Sequence, residues 1–268
     1  MTQLNNVIDI LKLLDKSNCR ECGEATCLAF AAAVIKGARQ LHECTHLDAS
    51  VVDRFAGKIR KRRSVEQDML DAMEVLKGKI AGIDLSAAAI RVGGRFSNEK
   101  LAVKIMGKDF VVDAKGNLSS DIHVNPWVAI PLLNYVLSAK GTAESENWVP
   151  FRELPGGREM AGLFAQRCEK PLKKVADTYT GLFEDMLSVF NGKQVERHYE
   201  SDISLVLRPL PKVPILICYW RPEDGLESDL NLFFDAAVHD NLSIESIYAL
   251  ATGLVTMFEK IALRHGAA

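Results

Sequence analysis

The sequence of 268 residues has no extended apolar run. Its longest stretch without Asp, Glu, Lys or Arg covers residues 122–139 and still contains His123, Asn125, Pro126, Pro131 and Asn134. A membrane span needs about 20 predominantly apolar residues, so none is expected. The N-terminus lacks the basic start and apolar core of a secretory signal, and Asp9 interrupts its early apolar positions. A cytoplasmic location follows by default. Net charge is also small, with 33 basic against 35 acidic residues for a balance of −2, which argues against nucleic acid as a partner. No Walker loop, dinucleotide fingerprint, nucleophile elbow or HExxH pair occurs. A composition of 48% hydrophobic and 25% charged residues excludes disorder for most of the chain.

Cysteine is scarce but clustered. Four of the six cysteines lie between Cys19 and Cys44, in the spacing C-x2-C-x4-C-x16-C. Disulfides are unusual in a reducing compartment, so these thiols read first as metal ligands. Four thiolates suit a cubane iron–sulfur cluster. Gly23 allows the loop to bend close to it, and Cys27 sits at the start of an Ala-rich helical segment whose dipole would face an anionic cluster. Structural zinc also takes four cysteines, or three with a histidine. Only one C-x2-C pair is present, but His42 and His46 flank Cys44 and keep a mixed zinc site open. The remaining thiols, Cys168 and Cys218, fall in helical and apolar segments and read as buried and inert.

The charge divides unevenly along the chain. Residues 1–63 carry 11 basic and 7 acidic side chains, and the rest carry 22 and 28. Helical periodicity covers Leu4 to Leu14, Ala25 to Ile35, a segment capped by Asp48 or Ser50, and Val65 to Ile80. Beyond residue 83 the pattern mixes types. A hairpin is expected over Lys100–Val112, a helix from Asn125-Pro126 to about Ala139, and helices near Arg158–Glu169 and Leu172–Phe190. Strands are expected at Ile203–Leu207, Val213–Tyr219 and Leu230–Phe234, with an edge strand among the first two because of Pro209, Pro211 and Pro214. Ser243 would cap a last helix. The resulting fold class is a small all-α iron–sulfur domain (1–63), a connecting helix (64–82) and an α+β domain with a mostly antiparallel sheet (83–268).

The run from Leu14 to Gly23 through Cys19 and Cys22, followed by Thr26-Cys27-Leu28-Ala29-Phe30-Ala31, Gly37 and Cys44, resembles the iron–sulfur module of the corrinoid iron–sulfur protein large subunit. Similar modules occur in the acetyl-CoA decarbonylase/synthase gamma subunit and the Rnf complex B subunit. The resemblance covers about the first 60 residues. It implies a low-potential [4Fe–4S] cluster on Cys19, Cys22, Cys27 and Cys44, and single-electron delivery to a partner or bound cofactor, with a corrinoid in anaerobic one-carbon metabolism as the specific version. One departure is Thr45, where those families often carry Pro. Residues 83–268 instead resemble an uncharacterised domain family of anaerobes, through Asn147–Gly157, Pro211-Lys212-Val213-Pro214 and Phe233-Phe234-Asp235. That resemblance implies no chemistry.

Other residues offer weaker signals. Lys58, Arg60, Lys61, Arg62 and Arg63 form the densest charge run, either a solvated helix face or a dock for an acidic carrier such as ferredoxin or flavodoxin. Asp235, His239, His123 and His198 are candidate contacts for a corrinoid, haem or flavin in the second domain, though each has an ordinary structural reading. Arg152 and Glu153 beside Pro155-Gly156-Gly157 suit an anion loop or a salt bridge. Two other function classes compete with electron transfer: a scaffold whose cluster stabilises it or senses redox state, and an enzyme with an organic cofactor.

Overall fold

The computed structural model describes residues 4–55, 57–59, 65–179, 181–223 and 225–265. The chain divides into two compact units, Met1–Asp71 and Ala72–Ala268.

The first unit is built from short helices. Helix α1 (Val7–Leu11) starts where the Asn6 side chain accepts the Asp9 amide at 2.9 Å. It is shorter than the periodicity from Leu4 to Leu14 predicts. Asn6 caps the chain, so the helix begins only at Val7, and Leu4 pairs with Ile59 in an isolated bridge. Helix α2 (Cys27–Lys36) has Thr26 as its N-cap, whose hydroxyl accepts the Ala29 amide at 3.0 Å, and ends on left-handed Gly37. A 3-10 turn (Leu41–Glu43) leads to Cys44, and α3 (Ala49–Phe55) follows. Ile10, Leu14, Phe30, Val34, Leu41 and Phe55 close the core. Helix α3 ends before the basic run, of which Arg60, Lys61, Arg62 and Arg63 lie outside the described residues. The division between the units falls within α4 (Val65–Ile80).

The second unit contains two antiparallel sheets. After α5 (Leu85–Val92), strands β1 (Arg95–Ser97), β2 (Lys100–Ile105), β3 (Lys108–Val112) and β4 (Leu118–Ser120) form a four-stranded meander in chain order. Helix α6 (Pro126–Ser138) then begins at the expected Asn125-Pro126, the Asn125 side chain accepting the Val128 amide. Strand β5 (Trp148–Pro150) precedes α7 (Gly157–Phe164), α8 (Lys170–Thr178) and α9 (Leu182–Ser188). The larger sheet takes the order β5-β9-β8-β7-β6, with β6 (Lys193–Gln194), β7 (Ile203–Leu210), β8 (Val213–Trp220) and β9 (Asp229–Asp235). Helices α10 (Val238–Asn241) and α11 (Ile244–His265) end the chain.

Two expectations are corrected here. The strands carrying the prolines are interior, and β5 and β6 form the edges. The ladder tolerates them because its register shifts between Leu207 and Leu210, leaving Pro209 and Pro214 without a paired partner, while Pro211 sits in the turn. The helical segment after Gly157 also breaks elsewhere. A π turn over Ala165–Glu169 joins α7 to α8 and accommodates Pro171, and the helical run is interrupted later instead, α8 ending at Thr178 and α9 starting at Leu182.

Alternation along the strands sorts the core. Leu205, Leu207, Ile215 and Ile217 face the main core, whereas Val206, Leu216 and Cys218 join Phe233 on the other face. Helix α11 is long and apolar enough to cross a membrane by length and composition, but Ile247, Leu250, Val255 and Phe258 are buried in the main core. Its Gly253 allows close approach to α6, since a Cβ there would meet Trp127 Cβ at 3.0 Å.

Candidate metal centre

The loop between α1 and α2 is bent by its backbone. Lys16, Asn18, Arg20 and Gly23 all have positive φ, at 62°, 54°, 66° and 80°. Three of these lack the freedom of glycine, so the conformation costs energy that the surrounding contacts must offset. Closely spaced left-handed residues turn amide groups into a concavity that suits anions, iron–sulfur sites among them.

Cys19 and Cys22 from this loop, Cys27 at the start of α2 and Cys44 after the 3-10 turn line one small cavity with Leu14 and Phe30. Cys27 is buried, Cys22 and Cys44 are half-buried, and Cys19 is exposed. Cys27 is the first residue of α2, so the positive end of the helix adjoins the cavity. Asn18 binds Cys27 twice: its amide donates to Cys27 Sγ at 3.4 Å, and its Oδ1 accepts the Cys27 amide at 2.8 Å. Burial pushes the Cys44 thiol above its usual range, and negative charge on Cys22, Asp15 and Cys27 pushes the same way, against a backbone hydrogen bond from His46. Several thiolates in one cavity repel one another unless a cation sits among them. A soft, all-sulfur donor set fits an iron–sulfur cluster or zinc.

A polar shell ties the cysteine segments together. Arg39 donates to Glu43 at 2.8 Å and to Glu24 at 3.3 Å. It also lies over Gly23, where a Cβ would meet its Nη2 at 3.0 Å. Thr45 Oγ1 donates to Glu21 at 2.5 Å, so the residue that departs from the resembling families links Cys44 to the C-x2-C loop. His46 is exposed between Asp15 and Glu21, each at 3.5 Å. One of its ring nitrogens, Cys19 Sγ and a Glu21 oxygen lie within 4.8 Å of one another. His42 is exposed on the 3-10 turn. Sequence reasoning missed the parts played by Asn18, Arg39 and Thr45. Only Asn18 carried a signal, because Asn tolerates the left-handed region.

The candidates of the second unit are dispersed. The Asp235 carboxylate is buried and accepts from the amides of Ser145, Glu146 and Ala237 at 2.7–2.9 Å and from the Ser145 hydroxyl at 2.9 Å. That set of donors gives it a structural task, holding the 145–146 loop. His239 is exposed on α10, with Nδ1 2.8 Å from the Ala236 carbonyl. His123 is exposed on the segment leading to α6. His198 is half-buried, with its ring edge-on to Trp148 at 6.4 Å. These four residues form no ligand cluster among the described residues. Cys168 and Cys218 are both buried, and burial raises the Cys168 thiol to about 12. Arg152 and Glu153 approach each other at 4.0 Å on an exposed 3-10 turn (Phe151–Glu153).

Comparison with known families places both units. A family model for a domain of unknown function, DUF3786, matches residues 84–257. The chain belongs to the DUF3786 family. A second model, described as "Putative Fe-S cluster", matches residues 14–46 of this DUF3786 protein, which therefore carries an iron–sulfur-binding module. The corrinoid/iron-sulfur protein large subunit of Moorella thermoacetica is 31% identical over 106 residues, covering 37% of the DUF3786 chain and 24% of that protein. The acetyl-CoA decarbonylase/synthase complex subunit gamma of Methanosarcina acetivorans is 33% identical over 92 residues, covering 34% and 18%. The DUF3786 chain thus spans about a quarter or less of these relatives. No solved structure matches it.

Proposed function

We propose that Cys19, Cys22, Cys27 and Cys44 ligate a [4Fe–4S] cluster, and that the protein delivers single electrons at low potential to a partner or bound cofactor. The convergence of four cysteines on one cavity is the observation that carries this reading. When bound, the cluster supplies one-electron storage. The residues around it set the conditions. Asn18 and the start of α2 direct amide hydrogens at Cys27 and its surroundings, which stabilises added negative charge. Asp15, Glu21 and Glu24 place carboxylates nearby, which opposes reduction and favours a low potential. Exposed Cys19 leaves one side of the site open to a partner.

The relatives named for corrinoid and acetyl-CoA chemistry support an acceptor in anaerobic one-carbon metabolism, with a corrinoid centre as the first candidate. The basic run of Lys58, Arg60, Lys61, Arg62 and Arg63 suits an acidic donor such as ferredoxin or flavodoxin. Free thiols suit the reducing cytoplasm. Anaerobic reconstitution of the full chain, with iron, zinc and cobalt analysis, EPR and a redox titration on one sample, tests the reading. The expected result is four irons per chain and a reducible signal at low potential. Stoichiometric zinc without iron absorbance overturns it.

A further inference from the structure

We propose that the second unit binds a small organic cation with a flat, apolar body, in a cleft bounded by α8, α9 and the adjoining ends of β7 and β8. The cleft holds about 1020 Å3, at the upper end of the ~300–1,000 Å3 usual for small-molecule and cofactor sites.

Its floor is the end of the main core. Phe183 and Tyr219 lie with ring centroids 5.2 Å apart, beside Leu187, Ile203 and Leu205. Tyr219 and Leu205 are buried, so this surface is backed by packed side chains and is preformed. A flat apolar body gains contact area there, and ring faces attract cations.

The wall is held by Asp177. Its carboxylate accepts the Tyr219 hydroxyl at 2.9 Å and Lys173 Nζ at 3.1 Å. These bonds neutralise Lys173 and fix the Tyr219 ring. The rest of the lining is acidic. Four carboxylates (Asp177, Glu184, Asp202 and Glu227) face two cations, Lys173 and Arg221. Asp202 accepts the Arg221 backbone amide at 2.7 Å, while Glu184 and Glu227 make no ion pair among the described residues. A cleft with one excess sign and low-dielectric walls focuses that field on its contents. The aromatic floor selects the body of the ligand, and the free carboxylates select its charge.

Fluorescence titration of the full chain with ethidium, a planar organic cation, tests this. The expected result is saturable enhancement at one site per chain. The Glu184→Gln/Glu227→Gln double variant should bind about ten-fold more weakly, and Phe183→Leu should also weaken binding. Both glutamates are exposed, so the double variant should melt like the parent, which separates lost binding from lost folding. The anionic dye 8-anilinonaphthalene-1-sulfonate should not displace ethidium. Absence of saturable ethidium binding, displacement by the anion, or unchanged affinity in the double variant would each overturn the proposal.

Discussion

Arg39, in the bend after α2, and Glu43, on the following 3-10 turn, bring Nη1 and Oε2 to 2.8 Å, and the same guanidinium reaches Glu24 at 3.3 Å. The pair therefore joins the turn before Cys44 to the loop between Cys22 and Cys27. Hydrogen bonds donated to Glu43 and Glu24 raise the Arg39 guanidinium further above its usual range, so it stays charged at any working pH. Arg39→Ala removes the clamp without touching a cysteine. Outer-shell partners of metal sites are typically worth about 10–100-fold in affinity. The reconstituted variant should lose iron to a chelator about ten-fold faster, read from the decay of visible absorbance. Arg39→Lys should recover only part of this, because one ammonium cannot span both carboxylates with a planar fork.

Each proposed ligand should be required. Cys44 is reached from the far end of α2, so Cys44→Ser tests whether the distant cysteine closes the same site as the C-x2-C pair. Its iron content should fall sharply, with loss of the reducible EPR signal. The first unit has a core of short helices, and metal binding supplies folding free energy in small domains. Thermal unfolding of that unit should therefore shift downward in Cys44→Ser and in the chelator-treated parent by similar amounts. Equal iron content in Cys44→Ser would remove it from the ligand set.

Much of this was legible because local signals agreed. The Asn125-Pro126 start of α6, the Gly107 hairpin and the Gly37 stop of α2 each join a cap or turn residue to a hydrophobic period. The spacing of four cysteines led to one cavity for the same reason: the helix between Cys27 and Cys44 has fixed geometry. What escaped was structure set by distant partners. The short edge strands β5 and β6 exist through pairing with β9 and β7. The interior placement of the proline-bearing strands depends on a register shift that no propensity encodes. Helix α5 is a different case, since Asp84 and Gly93 cap it at either end. Its brevity and alanine content left the period weak. Asp235 read as a ligand candidate because its sequence neighbourhood looks like a site. Only the fold brings Ser145 and Glu146 to it from 90 and 89 residues away.

That contact makes Asp235 a sharp test of structure against cofactor binding. Replacing it by Ala leaves the amides of Ser145, Glu146 and Ala237 without their acceptor in a part-buried setting. An unsatisfied donor costs about 1–3 kcal/mol, so Asp235→Ala should lose about 3 kcal/mol in denaturant unfolding. Asp235→Asn retains one acceptor oxygen and should lose less. Neither change should alter iron content. A pigment that copurifies with the parent and disappears selectively from a folded Asp235→Asn protein would restore a ligand role.

Tyr219 and Asp177 give the second unit opposite responses at the two ends of the pH scale. Burial, followed by the hydrogen bond and charge of Asp177, raises the Tyr219 phenol to about 12. Its folded value exceeds the unfolded one, near 10. Its contribution is therefore complete below pH 10 and lost as pH rises toward 12. That difference corresponds to about 2–3 kcal/mol at most. Asp177 behaves in reverse: burial opposes ionisation, but hydrogen bonds from Ser228, Lys173 and Tyr219 outweigh it and hold the carboxyl below its usual range. Its contribution is present above the unfolded value, near 3.8, and is lost as pH falls through the folded value. Tyr219→Phe should flatten the alkaline slope of unfolding free energy between pH 10 and 12, leaving the slope of the other tyrosines. It should also make the loss of stability at acid pH shallower than in the parent, because Asp177 loses one of its three donors. Denaturant unfolding across pH 3–12 on parent and variant checks both ends, and an unchanged alkaline slope would show that the Tyr219 phenol ionises no later in the folded chain than in the unfolded one.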